Sequence, residues 1–200
     1  MPSDRAPPKG WPVTLQYLPA CVYHSSVPPA IRSFIDGAPS RPRGHLHTTP
    51  ARTCAIRAIS TPSHPAHGQR GLFALGTIAA RTLIVEYVGE IHCDARAESD
   101  YDLSLHRLAD GTSVGVDAQR MGNEARFVND FRGIRAKPNA EFGERRTAAG
   151  ALRMGVWSLS ERIKKGEEIV VSYGKAWWQT RGLSDARAAA WASEGLVGAR

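Results

Sequence analysis

The 200 residues predict a mainly β fold with one short helix near the C-terminus, and three observations carry that prediction. Short apolar runs rich in β-branched residues recur between glycines and prolines, the best being Thr82 to Val88 (Thr-Leu-Ile-Val-Glu-Tyr-Val), closed by Gly89. Ser99 to Leu105 alternates in the manner of a half-buried strand. A helical run is legible only from Ser184 or Asp185, either of which can serve as N-cap, through Ser193.

Two hundred residues suit one domain with flanks, enough to bury a core. A hydrophobic content of 42% with 22% charged residues excludes wholesale disorder. No apolar run reaches the roughly 18 residues of a membrane span. The formal charge of +7 has two readings, attraction to an acidic partner such as nucleic acid or a basic solvated face. Cys21, Cys54 and Cys93 are far apart, which argues against a disulfide framework and a cysteine-rich zinc site and fits a reducing intracellular compartment. His45-x-His47 and His64-x-x-His67 sit among prolines with no carboxylate or thiolate nearby in sequence, so no metal site is expected.

Taken in order, residues 1–50 are a proline-rich basic arm, partly disordered, from which Trp11-Pro12-Val13 and Val27 to Ile35 can dock on the domain. The arm lacks a secretory signal pattern, and its prolines break any amphipathic transit helix. Cys54 to Ile59 reads as the first strand. His64 to Arg70 forms a loop that feeds a second strand at Gly71-Leu72-Phe73-Ala74. Glu86, Glu90, Asp94, Glu98, Asp100 and Asp102 form one acidic island facing only Arg96; it is either a solvated loop or a rim for a basic peptide. Val114 to Ala118 and Arg153 to Leu159 are further strands. The domain is placed at 51–178, with a helical tail at 179–200.

Two remaining stretches carry the functional reading. Gly122 to Phe142 (Gly-Asn-Glu-Ala-Arg-Phe-Val-Asn-Asp-Phe-Arg-Gly-Ile-Arg-Ala-Lys-Pro-Asn-Ala-Glu-Phe) is broken enough to be irregular rather than helix or strand. Gly166 to Gly174 (Gly-Glu-Glu-Ile-Val-Val-Ser-Tyr-Gly) is a short β-rich run after a turn at Lys165-Gly166. Together they resemble the signature segments of the SET-domain lysine methyltransferases, Arg-Phe-(Ile/Val)-Asn-His…Pro-Asn and Gly-Glu-Glu-Leu-x-x-x-Tyr-Gly. Gly71-Leu72-Phe73-Ala74, Glu86-Tyr87 and Val116-Asp117-Ala118 also match landmarks of that family in order, over roughly residues 54 to 178.

That resemblance implies a β-clip-like fold of small twisted sheets, in which one signature segment threads under the other in a knot-like core. It implies S-adenosylmethionine as cofactor and a protein lysine, on histone tails, as acceptor. A nuclear location follows from that substrate, with the cytoplasm as the alternative. The basic arm is then placed to touch nucleosomal DNA. Arg70, Gly71, Leu72, Asn129, Asp130 and Tyr173 correspond to the cofactor-binding positions, with Arg126-Phe127 as scaffold. Tyr173 corresponds to the catalytic tyrosine, aided by Tyr101. Tyr101, Phe142, Val171 and Trp177 correspond to the substrate channel, while Asn139 fixes the knot. No zinc is implied, because the cysteine clusters that many relatives carry before and after the domain are missing.

One departure is Asp130, where the family has histidine. It keeps open a catalytically silent module that binds a basic peptide or nucleic acid, and a plain nucleic-acid-binding protein is the third reading. Phe142 and Val171 occupy positions where a phenol can restrain a partly methylated lysine. Neither has a hydroxyl, so di- or trimethylation is expected.

Overall fold

The computed structural model describes residues 6–37 and 52–180. Strands dominate. In chain order they begin with β1 (Gln16–Tyr17), β2 (Val22–Tyr23), helix α1 (Pro29–Asp36), β3 (Cys54–Ala58) and β4 (Arg70–Ala74). Next come β5 (Leu83–Tyr87), β6 (Glu90–His92), β7 (Asp102–Arg107), β8 (Ser113–Asp117) and β9 (Met121–Gly122). A 3-10 turn (Glu124–Phe127) precedes β10 (Asn129–Asp130), β11 (Ala140–Arg146), β12 (Leu152–Ser158), β13 (Val170–Val171) and α2 (Lys175–Thr180). No helix among the described residues is long and apolar enough to cross a membrane. The chain divides into two compact units, one of Met1–Arg52, Leu83–Arg126 and Phe142–Val156, the other of Thr53–Thr82, Phe127–Glu141 and Trp157–Arg200.

The first unit is built on a four-stranded sheet in the order β2-β6-β8-β7, with most of a second sheet in the order β11-β12-β5 and the small parallel pair β1-β9. Alternation in β6 and β8 turns Ile91, Val114 and Val116 inward, where all three are buried. Gly89 has no substitute here, since a Cβ would run into the Asp117 carbonyl. Part of the expected arm is folded: Pro29 opens α1 at a position that suits proline, and Ile31 and Ile35 share a face, with Ile35 fully buried. Trp11 meets the Tyr17 ring edge-on at 5.2 Å, whereas Val13 is wholly exposed.

In the second unit β3 and β4 make an antiparallel pair, from Cys54↔Ala74 to Ala58↔Arg70. The segment after Gly166 runs alongside: Phe73 bridges Glu168, and Ile169 N–H donates to the Leu72 carbonyl at 2.7 Å. It then pairs in parallel with β10, Asn129↔Val170 and Asp130↔Val171. Residues 129–139 hold β13 from two directions. Phe131 N–H donates to Val171 O at 2.9 Å, while Asn139 N–H donates to Val170 O at 3.1 Å and Val170 N–H returns to Asn139 Oδ1 at 2.9 Å. A two-residue strand so enclosed exposes no edge, and Leu72, Ile169, Val170 and Val171 are fully buried around it. This is the knot-like crossing the resemblance implies.

The strands read from the sequence recur within a few residues, although the Ser99 to Leu105 strand begins at Asp102. The stretch from Gly122 to Phe142 needs correcting. It contains a 3-10 turn, β10 and the start of β11, because its hydrogen-bond partners lie in remote segments that local pattern does not reveal. The helix expected from Ser184 or Asp185 lies outside the described residues, as do His45 and His47. Cys21, Cys54 and Cys93 are free thiols.

Candidate functional site

The β10–β13 crossing gathers polar side chains that the chain supplies from two distant stretches, 130–132 and 173–178. Asp130, buried, ends β10. Its Oδ2 accepts the Tyr173 backbone N–H at 2.8 Å, an Arg132 guanidinium N–H at 2.9 Å and the Trp178 indole N–H at 3.3 Å. Its Oδ1 accepts the Arg132 backbone N–H at 2.9 Å. The carboxylate therefore does two things: it pairs with Arg132, and it pins both the tyrosine and the first turn of α2. Tyr173 is half-buried, its hydroxyl donates to the Val128 carbonyl at 2.8 Å, and its ring meets Trp177 at 4.8 Å. Trp177 in turn meets Trp178 at 5.0 Å.

A second cluster forms beneath β4. The Glu168 side chain is 8% exposed; its Oε1 accepts Asn129 Nδ2–H at 2.8 Å, and its Oε2 lies 2.8 Å from His64 Nε2. Asn129 Nδ2 also donates to the Arg70 carbonyl at 3.3 Å. His64 Nδ1 accepts the Ala66 N–H at 3.0 Å, which leaves Nε2 to carry the proton toward Glu168. Gly71 makes room for this carboxylate, because a Cβ there would stand 2.5 Å from Glu168 Oε1. His64, with no carboxylate near it in sequence, thus gains one in the fold, 104 residues along the chain. Among the described residues no group of three or more ligating side chains can hold a metal ion.

Of the site residues expected from the sequence, Arg70, Gly71, Leu72, Asn129, Asp130, Val171, Tyr173 and Trp177 all belong to the second unit. Val171 is wholly buried, and Asn139 spends its side chain on backbone, donating to Glu168 O at 2.8 Å. Tyr101 and Phe142 belong to the first unit. There Arg126 lies over the Tyr101 ring at 4.0 Å, and Tyr87 donates its hydroxyl to the Tyr101 carbonyl at 2.7 Å and packs edge-on against Phe142 at 5.6 Å. Sequence reasoning missed Glu168 and His64 as members of the cluster. Glu168 lay inside a quoted motif, but only the fold reveals which of two adjacent glutamates turns inward.

The acidic island of the first unit also reads differently once folded. Arg96 pairs with Glu90 at 2.9 Å, Asp94 at 3.2 Å and Asp117 at 3.2 Å, and Glu86 pairs with Arg145. Buried His92 bonds Asp102 at 2.8 Å and the Asp94 carbonyl at 2.9 Å. Burial alone would lower the His92 pKa, but these partners outweigh it and hold the ring above its ordinary value. Desolvation, the largest single influence on Asp94, would raise its pKa, but the Ser26 hydroxyl, the Asp94 N–H and Arg96 together outweigh it and bring Asp94 down to about 2. An open cavity of about 340 Å³ in the second unit is lined by Arg81, Glu141, Trp157 and Ser158 to Ser160, and includes none of the expected site residues.

Residues 69–174 match the SET domain family profile. The chain is 33% identical over 111 residues to the histone-lysine N-methyltransferase set-2 of Caenorhabditis elegans, covering 52% of this chain and 7% of that protein. It is 35% identical over 103 residues to the histone-lysine N-methyltransferase ash1 of Drosophila melanogaster, covering 48% of this chain and 4% of that one. The chain therefore spans a small fraction of these relatives. Among solved structures, that of ATXR5 in complex with mono-methylated histone H3.1 aligns at 17% identity with a TM-score of 0.54, over 80% of this chain and 81% of that one, a likeness of fold.

Proposed function

Because the chain belongs to the SET-domain family, we propose that it transfers methyl groups from S-adenosylmethionine to a protein lysine, on histone tails. The observation that supports this best is the joint placement of Asn129, Asp130 and Tyr173 around one strand crossing. The residues present suit the cofactor. Gly71 lets the β4 backbone come close to the Glu168 carboxylate, and Asn129 presents a polar side chain beside the Arg70 carbonyl, where an amino-acid end can be bound. When bound, S-adenosylmethionine supplies a methyl group made electrophilic by its sulfonium.

The protein's own part is to align and desolvate a neutral amine. A lysine side chain titrates near pKa 10.4 in water, so an apolar channel that disfavours its charged form favours the nucleophile. Tyr173 spends its hydroxyl proton on Val128 O and so acts toward the substrate as an acceptor, able to orient an amine N–H or polarise a methyl C–H. Trp177 packs on its ring and limits its rotation. The resemblance assigns Tyr101, Phe142 and Val171 to lysine-channel positions. The domain is taken as 51–178, flanked by the arm at 1–50 and the tail at 179–200, and the histone substrate implies a nuclear location.

A silent binding module is the second reading, favoured by Asp130 in the family's histidine position. Tritiated-methyl transfer over a panel of histones and nucleosomes separates the two, with Tyr173→Phe as the inactive control. Transfer abolished in the control supports the enzyme. Cofactor binding with no transfer to any substrate supports the silent module. A preference for nucleosomes over free histones supports a DNA contact by the arm.

A further inference from the structure

We infer that Glu168, backed by His64, is a positioning residue that fixes Asn129 as an acceptor for the ammonium group of the cofactor's amino-acid end. This rests on the cofactor reading above and extends it. The amide of Asn129 can face a ligand with its carbonyl oxygen or with its NH2, and the two faces select opposite partners, a donor such as an ammonium or an acceptor such as a carboxylate. Here the choice is made by what lies behind it. Both Nδ2 hydrogens are committed, one to Glu168 Oε1 at 2.8 Å and one to Arg70 O at 3.3 Å. Turning the amide round would set Oδ1 against a carboxylate and a carbonyl, acceptor against acceptor. Among the described residues nothing donates to Oδ1, so the carbonyl is left for the ligand.

The arrangement also carries charge. Glu168 is met only by neutral donors, the Asn129 amide and the His64 ring, whose tautomer is set by the Ala66 N–H at its other nitrogen. A chain of bonds therefore runs from Ala66 through His64 and Glu168 to Asn129, each link polarising the next. Its negative charge is neutralised by no cation within the cluster. It strengthens Oδ1 as an acceptor and favours a positively charged ligand group beside it. Gly71 belongs to the device, because any larger residue would push the carboxylate out of line.

The test uses the full chain, calorimetric titration and two probes, S-adenosylhomocysteine and its analogue lacking the α-amino group. Glu168→Gln keeps the volume but leaves one uncharged oxygen for two donors, Asn129 Nδ2–H and His64 Nε2–H, so the Asn129 amide is no longer held one way round by a charged acceptor. Its affinity for S-adenosylhomocysteine should fall about tenfold or more, while affinity for the deaminated analogue stays within about twofold. Equal losses for both probes would overturn the inference and leave Glu168 as a support of the fold. Should Glu168→Gln fail to fold, His64→Ala gives the same comparison with a smaller selective loss of about threefold, and an equal loss again overturns it. A wild type that binds neither probe brings down the cofactor reading itself, an outcome distinct from either.

Discussion

Two carboxylate clusters, one around Arg96 in the first unit and one around Glu168 in the second, are held in opposite ways. The described residues of the first unit carry ten Lys and Arg against eleven Asp and Glu, net −1; those of the second carry ten against five, net +5. In the first, Asp117, Glu90 and Asp94 converge on one guanidinium, Arg96, and Asp102 on His92. Charge there is closed off among side chains of a single unit. In the second, the more basic one, Glu168 sits 8% exposed without a cation, held by an amide and a neutral imidazole. A carboxylate paired to arginine has its field neutralised and serves the fold. One held by neutral donors keeps its field for a cationic ligand. The contrast assigns the first network to structure and the second to binding, and each assignment can be broken.

The largest effect is expected at Tyr173. Tyr173→Phe keeps the ring against Trp177 but removes the oxygen, and turnover should fall by about 2.7–4 kcal/mol of activation free energy, against a stability loss of only about 1 kcal/mol for the bond to Val128 O, read from the melting curve. Next comes Arg96→Ala, which strands Asp117, Glu90 and Asp94; unfolding in urea should show a loss of about 3 kcal/mol. Calorimetry on the folded protein should then show S-adenosylhomocysteine affinity intact, and a matching loss of affinity would erase the distinction between the two networks. Asp130→Asn loses the charge that pairs with Arg132 and weakens the acceptor shared by the Tyr173 N–H and the Trp178 indole. A loss of about 1–3 kcal/mol is expected, with a red shift of tryptophan emission as α2 loosens.

A smaller effect distinguishes the units by pH. The His92 pKa is raised on folding, so its contribution is fully present below the unfolded value of about 6.5 and is lost as pH rises through the folded one. Wild type should become less stable relative to His92→Gln across that window, as read by urea midpoints at pH 6 and pH 9. The smallest change is in product distribution. With Phe142 and Val171 lacking hydroxyls, wild type should yield di- or trimethyl-lysine under excess cofactor, and Phe142→Tyr should shift the peptide product toward monomethyl-lysine by mass spectrometry. A wild type that halts at one methyl contradicts this.

Much of the fold was legible because it is written locally. Thr82 to Val88 is an apolar run with β-branched residues closed by a glycine, and Lys165-Gly166 is a turn whose glycine takes φ 85°, so neither needs remote information. The order of the motifs carried the family. The two-residue strands escaped notice for a physical reason: a pair such as Asn129-Asp130 has no pattern of its own and becomes a strand only when Val170 and Val171 lie beside it.

The same division holds for the site. By itself the sequence determined which residue types are available and in what order: Asn129, Asp130 and Asn139 on one segment, Glu168 and Tyr173 on the other, glycine at 71. It also set the departure from the family at Asp130. Only the tertiary structure decided which of these groups face one another. It gave Asp130 the Tyr173 N–H, the Trp178 indole and Arg132, and it brought His64 across 104 residues to Glu168. Hydrogen bonds act over about 3 Å, and separation along the chain says nothing about that distance until loop closure and core packing have fixed it.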